Sequence, residues 1–171
     1  MKVDPIFGCS EITFLFIEKL SLFYRATVRA KIARPNLDTR MAIGVGKIDS
    51  VPETRVSEGH GEAYLLSGEA LDRLNRSKAA NMCFVHKNDE IAENFDVIVR
   101  LIDAIATRWT DKQALAISGA LRGMKQEEIA EKLWEKRITQ QAVAQHLSRA
   151  GWDPVEKGIN YFEKKAKKQA F

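Results

Sequence analysis

Residues 126–151 read QEEIAEKLWEKRITQQAVAQHLSRAG, a stretch in which two short amphipathic segments are separated by WEKR. The spacing of the apolar side chains predicts two helices that pack against each other, since residues three or four apart share one helix face. The small Ala130 would allow the two helices to cross closely. The predicted buried positions, which follow the pattern of a helix-turn-helix, are Ile129, Ala130, Leu133, Val143, Leu147 and Ala150.

The second helix of this pair has the features of a helix that reads DNA bases. A threonine hydroxyl accepts a hydrogen bond from a free backbone N–H, so Thr139 is expected to cap its first turn. Glutamine can pair with adenine through two hydrogen bonds, and alanine can contact the methyl group of thymine. The predicted base-reading residues are Thr139, Gln140, Gln141, Ala144, Gln145 and Ser148.

Basic and polar side chains beside this helix are expected to contact phosphates, which supply most of the sequence-independent affinity for DNA. These residues are Lys125, Gln126, Lys136, Arg137, His146 and Arg149. The chain has a net charge of +4, and the segment from Arg122 to the C-terminus holds 11 Lys or Arg against 7 Asp or Glu. The C-terminal segment is therefore the basic part of the chain, as expected for a DNA-binding region.

The WEKR insertion leaves the geometry of the helix pair open. Four residues stand between Leu133 and Ile138, where a tight turn needs about one; the excess is close to one helical turn of ~3.6 residues. Either the first helix runs longer, or the turn is a loop that carries Lys136 and Arg137 toward a phosphate. A longer turn could also open the crossing angle and make the pair unsuitable for DNA.

The first half of the chain combines strand and helix patterns. Strands are predicted at 6–7, 11–17, 41–48 and 81–87, and helices at 18–34 and 61–76. This order predicts a partial ferredoxin-like domain over residues 1–87, with helices on one face of an antiparallel sheet. Residues 88–171 have helical periodicity alone, which predicts an all-α domain with the helix-turn-helix at about 124–150. The predicted fold class is therefore α+β.

Two runs in the first half, MAIGVGKID (41–49) and RVSEGHGEAYLLSGEALDRL (55–74), resemble the SatD family of bacterial proteins. The motifs that carry the resemblance are IGxGKID, RVSExxGEA and SGxALD, in that order, and it extends from about Gly8 to near Phe162. The resemblance implies a sheet domain similar to nucleotide cyclase catalytic domains, followed by a C-terminal helix-turn-helix.

Two departures from that family argue against catalysis. The family usually begins with a strand that carries a metal-binding Asp, and no such strand precedes Lys2. The hairpin tip that often reads Gly-Asp-Ser is Gly8-Cys9-Ser10 here, and a thiol is a poor ligand for a hard cation such as Mg²⁺. Because cyclase-like phosphoryl transfer needs metal and positioned carboxylates, we expect no enzyme activity, no metal and no cofactor.

A polar cluster in the second run leaves another function open. Arg55, Ser57, Glu58 and Glu62 could bind a nucleotide or another small ligand in a degenerate cyclase-like protein. The same residues are typical of a loop-to-helix junction, with Ser57 as the N-cap and glutamates near the helix N-terminus. A protein-interaction module, in which the helix pair binds another protein, is the third possibility.

Composition excludes several other classes of protein. No apolar run approaches the roughly 18 residues needed to span a bilayer, and the N-terminus lacks the apolar region of a secretory signal. Cys9 and Cys83 are far apart and form no CxxC pair, which argues against a zinc finger or a disulfide framework. We therefore expect a cytoplasmic transcriptional regulator that binds double-stranded DNA without a membrane partner. It is expected to act as a homodimer, because two half-sites add affinity.

Overall fold

The computed structural model describes residues 11–14, 40–50, 59–77 and 80–169. These residues belong to two compact units. The described residues 11–14, 40–50, 59–77, 80–103 and 166–169 belong to the first, and the described residues 104–165 belong to the second. The two-domain division predicted between residues 87 and 88 stays a prediction; the packing units divide later, after Asp103. The predicted strand at 6–7 and the predicted helix at 18–34 lie outside the described residues.

The first unit contains the strands of the described chain. They are β1 (Glu11–Phe14), β2 (Arg40–Val45), β3 (Ile48–Ser50), β4 (His60–Gly61) and β5 (Met82–His86), accompanied by α1 (Glu62–Ser77) and most of α2 (Asp89–Ala106). Strands β1, β2 and β5 form a parallel sheet in that order, with Ile12 opposite Met41 and Ile43 opposite Phe84. Strands β3 and β4 form a separate antiparallel pair.

The mixed α+β class is confirmed, but the ferredoxin-like layout is not. The prediction of an antiparallel sheet is wrong for β1, β2 and β5, whose strands are parallel. Helix α1 lies between β2 and β5 in the sequence and provides the crossover that lets both strands run in the same direction. The predicted strand at 41–48 is interrupted after Val45, so that β3 begins at Ile48.

Helix α1 approaches β2 closely at Gly44. A Cβ atom at this position would lie 2.6 Å from the carbonyl oxygen of Ala63 and 2.7 Å from the backbone nitrogen of Ser67, so only glycine fits. The apolar core on this side of the sheet consists of Ala42, Ala70, Leu71, Leu74 and Cys83.

Helix α2 covers the outer edge of β5 with two carboxylates. Asp103 accepts hydrogen bonds from the backbone N–H groups of Asn81, at 2.8 Å, and Met82, at 3.3 Å. Asp96 accepts one from the N–H of Phe84 at 2.7 Å. These donors lie on the edge of β5 that does not face β2. The aspartates therefore satisfy backbone groups that would otherwise be buried without partners.

The described part of the second unit contains helices joined by loops and no strand. It contains α3 (Asp111–Ala120), α4 (Gln126–Lys132), α5 (Gln140–Arg149) and the first fourteen residues of α6 (Trp152–Gln169). Helix α3 begins with a capping box, in which Thr110 and Gln113 bond to each other's backbone N–H groups. Glycines with positive φ end the segments before α4 and α6, with φ of 72° at Gly123 and 69° at Gly151. None of the helices in the described part of the chain is long and apolar enough to cross a membrane.

Candidate nucleic-acid interface

Helices α3, α4 and α5 pack around one apolar core. Helix α3 meets α4 at Gly119, where a Cβ atom would lie 2.6 Å from Cγ1 of Ile129. Val143 of α5 and Ile129 of α4 are both 0% exposed. The burial predicted from the sequence is confirmed for Ile129, Ala130, Val143, Leu147 and Ala150, whereas Leu133 is half-buried. The glutamine-bearing face of α5 is consequently turned away from this core.

Both ends of α5 are held by hydrogen bonds. The hydroxyl of Thr139 accepts from the backbone N–H of Ala142 at 3.1 Å, so the N-cap predicted at this residue is confirmed. At the other end, the buried indole Nε1 of Trp109 donates to the carbonyl oxygen of Ala150 at 2.7 Å. The cap completes the first turn of α5, and the bond from Trp109 attaches its C-terminal end to the segment before α3.

The connection between α4 and α5 is a loop over residues 133–139. Helix α4 ends at Lys132, so the alternative in which the WEKR insertion lengthens this helix is wrong. The backbone N–H of Ile138 donates to the carbonyl oxygen of Ala130 at 3.3 Å, and this bond ties the end of the loop back to α4. Within the loop, Trp134 stacks on His146 of α5, with ring centroids 6.0 Å apart and an interplanar angle of 23°.

Most of the residues predicted to contact DNA are exposed around α5. Those on the surface are Lys125, Lys136, Arg137, Thr139, Gln140, Gln141, Gln145, Ser148 and Arg149, while Gln126 and Ala144 are half-buried. At about 100° per residue, Gln141, Gln145 and Ser148 share the helix face opposite Val143. This face, together with the first turn of α5, carries no acidic side chain. We call Gln140, Gln141, Gln145, Ser148 and Arg149 the glutamine face.

A basic residue that the sequence interpretation missed lies near this region. The pKa of His146 is lowered chiefly by burial, and then by the positive charges of Lys112 and Arg149. Lys112 is exposed in the first turn of α3. Its position beside a helix start was visible in the sequence, but only the packing of α3 on α5 brings its charge close to His146.

The start of α4 is held by a local hydrogen bond. The backbone N–H of Lys125 donates to Oε2 of Glu128 at 3.0 Å. This bond and the side chain of Lys132, 3.3 Å from Glu128, lower the pKa of the glutamate. The side chain of Lys125 is exposed beside the first turn of α4, and its positive charge also lowers the pKa of Glu128.

Of the predicted ligand-binding cluster, Glu62 is the member that lies within the described residues. Its carboxylate accepts from the backbone N–H of Lys47 at 3.3 Å and pairs with Nζ of Lys87 at 3.6 Å. Glu62 thus joins the start of α1 to the segments that follow β2 and β5. The other members of the predicted cluster, Arg55, Ser57 and Glu58, lie outside the described residues. Within the described part of the chain, no group of three or more His, Cys, Asp or Glu could hold a metal ion.

Comparison of the chain with protein-family models, curated proteins and solved structures finds no match. The resemblance to the SatD family accordingly stays a proposal.

Proposed function

We propose that this protein is a SatD-like transcriptional regulator that binds duplex DNA by placing α5 in the major groove. The observation that carries the proposal is the glutamine face, which lacks acidic side chains and is exposed on a capped helix whose C-terminal end is bonded to Trp109. Glutamine pairs with adenine through two hydrogen bonds in the major groove, and serine contacts several bases. Such side chains on a rigid helix are suited to direct readout of sequence.

The dimensions of α5 are compatible with this role. A helix with side chains is ~10–12 Å across, and the major groove of B-DNA is ~12 Å wide. The first residues of a recognition helix usually contact the bases, and here they are Gln140 and Gln141 after the exposed Thr139 cap. The half-buried Ala144 is placed one turn later, where a small methyl group suits contact with thymine.

Basic side chains on four segments are available to contact the DNA backbone. They are Lys112 on α3, Lys125 before α4, Lys136 and Arg137 in the connecting loop, and Arg149 at the end of α5. Each is exposed, and in the proposed complex they position α5 by binding phosphates without reading sequence. The insertion contributes to this set, since it places two cations in the loop that leads into α5.

In this proposal the protein acts without catalysis and as a homodimer. Two copies of α5 would read half-sites centred ~34 Å apart, one turn of the duplex. A single helical reader buries little surface, so the second half-site adds the affinity that a specific site requires. The dimer is expected to bind an operator with two-fold symmetry.

The proposal is tested by selecting DNA sequences on the full-length protein and measuring affinity for the selected site by fluorescence anisotropy. Gln141→Ala is expected to weaken binding to that site by about 1–3 kcal/mol and to relax preference at one base position. Asn94→Ala, an exposed amide on α2, serves as the matched control and is expected to change neither property. Failure of the wild-type protein to bind any duplex at low salt would reject the function.

Phosphate contacts are tested separately by substituting Lys125. Lys125→Ala is expected to weaken binding to all sequences alike and to reduce the slope of log affinity against log salt by about 1. Lys47→Ala removes one exposed lysine from the other compact unit and is expected to leave the slope unchanged. A Lys125 variant that altered sequence preference instead would contradict a backbone role.

A further inference from the structure

Helix α6 has a basic face that the proposed base-reading surface does not include. Lys157, Tyr161, Lys164 and Lys165 are all exposed, and Tyr161 is 52% exposed despite its large ring. The opposite side of the same helix carries the buried residues Val155, Ile159 and Phe162. We call the four exposed residues the α6 basic face.

The charges of this face are only partly neutralised by the protein itself. Lys157 pairs with Asp153, with 2.8 Å between Nζ and Oδ2. Nζ of Lys165 lies 5.6 Å from the centroid of the Tyr161 ring, a cation–π contact that orients the amino group without neutralising it. Among the described residues, no carboxylate lies within 4.0 Å of the amino groups of Lys164 and Lys165.

The acidic side chains of α6 that could oppose these charges are elsewhere on the helix. Glu156 and Glu163 line a groove together with Arg122 and Trp152. At about 100° per residue, both glutamates lie roughly 140–160° around the helix from Tyr161. Apart from Asp153, which pairs with Lys157, the α6 basic face is therefore positively charged, and its complement is a polyanion.

We propose that the α6 basic face binds phosphates of the same DNA duplex that α5 reads. This inference rests on the proposed function and adds a second contact region to it. Helix α6 begins at Trp152, directly after Ala150 and Gly151 end α5, so the two helices are consecutive within one compact unit. Lys157 and Lys165 are eight residues apart, or about 12 Å along the helix. A duplex presents about seven phosphate charges over that length of its axis.

The composition of the face favours DNA over an anionic membrane surface. Helices that bind in the membrane interface insert a broad apolar face among the lipids. In the first fourteen residues of α6, the apolar side chains of Val155, Ile159 and Phe162 are buried in the protein. Tyr161 is the large ring that remains exposed on the α6 basic face. The α6 basic face therefore offers charge without the insertion that membrane binding requires.

The salt dependence of DNA affinity tests the inference. In the double variant Lys164→Gln/Lys165→Gln, the slope of log affinity against log salt should fall in magnitude by about 1.8, while base preference is retained. The control Lys47→Gln/Arg76→Gln removes the same charge from exposed positions of the other unit and should leave the slope as in the wild type. Thermal melts of both variants check that the fold is unchanged.

The outcomes separate this inference from the proposed function. A slope unchanged by the α6 substitutions, in a protein whose Gln141→Ala variant still loses base preference, would overturn the inference alone. A wild-type protein that binds no duplex would overturn both. If the α6 substitutions abolish binding to phosphatidylserine vesicles while DNA binding persists unaltered, the face is a membrane contact and the inference is wrong.

Discussion

The indole nitrogen of Trp109, just before α3, donates a buried hydrogen bond to the carbonyl oxygen of Ala150 at the end of α5, over 2.7 Å. The two residues are 41 positions apart in the sequence. Their bond anchors the C-terminal end of the proposed reading helix to the segment that starts the three-helix core. Because Trp109 is itself 5% exposed, its ring also fills space in that core.

We expect Trp109→Phe to destabilise the protein by about 1–3 kcal/mol, because the carbonyl oxygen of Ala150 loses a buried donor and the smaller ring leaves a void. Chemical denaturation followed by circular dichroism measures this effect. DNA affinity should fall as well, since the end of α5 is less firmly held. Trp134→Phe, at a half-buried loop position, is the control and should cost less; equal losses from both variants would contradict the anchoring role of Trp109.

Gly119→Ala should destabilise the helical unit by about 1–3 kcal/mol, because the added methyl group would lie 2.6 Å from Cγ1 of Ile129. Intrinsic helix propensity acts in the opposite direction, since alanine is favoured over glycine by about 1 kcal/mol in a helix interior. Gly68→Ala in α1 is a matched control, because nothing lies within 4 Å of the new methyl group there. We expect the control to raise the midpoint of unfolding and Gly119→Ala to lower it; two shifts of the same sign would refute the close contact of α3 with α4.

Asp103→Asn should destabilise the protein by about 1–3 kcal/mol. The carboxylate of Asp103 is buried, and its Oδ2 accepts hydrogen bonds from the backbone N–H groups of Asn81 and Met82; an amide would offer them an uncharged, weaker acceptor. Asp72→Asn on the exposed side of α1 makes the same chemical change without these partners. Equilibrium unfolding in urea compares the two, and an Asp103 variant as stable as its control would show that the edge of β5 does not depend on the carboxylate.

His146 should make the folded state less stable in mild acid. Burial, followed by the charges of Lys112 and Arg149, lowers its pKa in the folded protein below the unfolded value of about 6.5. The unfolded chain therefore binds more protons in the interval between the two pKa values, and the free energy of unfolding falls as the pH falls through that interval. The free energy of unfolding can be measured at a series of pH values between 7.5 and 5. His146→Gln should remove the fall attributed to His146, whereas His60→Gln, at an exposed position, should retain it. An unchanged profile in the His146 variant would mean that its pKa is the same in both states.

Cys83 should react slowly with thiol reagents in the native protein. Burial raises the pKa of its thiol to about 11, with a further contribution from the negative charge of Asp96. The thiolate that attacks such reagents is therefore scarce at pH 8 as well as shielded. Cys9→Ser leaves Cys83 as the one thiol that can react. The absorbance that reports its reaction with a disulfide reagent should rise slowly in buffer and rapidly in denaturant. Fast labelling of the folded protein would contradict the core position of Cys83.

The sequence was sufficient to predict most helix positions and much of the helical core. The starts of α3 and α5 depend on Thr110 and Thr139, whose side chains bond to backbone groups three residues away. The buried stripe through Val143 and Leu147 follows from helical periodicity within one segment. These features depend on residues within a turn or two of each other, so the local pattern contains the information that specifies them.

Other features depended on contacts between distant segments. The strand pattern of the first half is compatible with antiparallel or parallel pairing, and it is the register of β2 with β5 in the structure that shows these strands to be parallel. Likewise, the WEKR insertion could either extend α4 or form a loop. The structure has the loop, in which Trp134 stacks on His146 of α5.

The amino-acid order alone thus determined where the helices begin and which of their sides are apolar, because capping and periodicity act over a few residues. Strand direction, the carboxylates of Asp96 and Asp103 on the edge of β5, and the approach of Lys112 to His146 were decided by the tertiary structure. Each of these depends on which side chains meet across separate elements, and no local pattern encodes that choice.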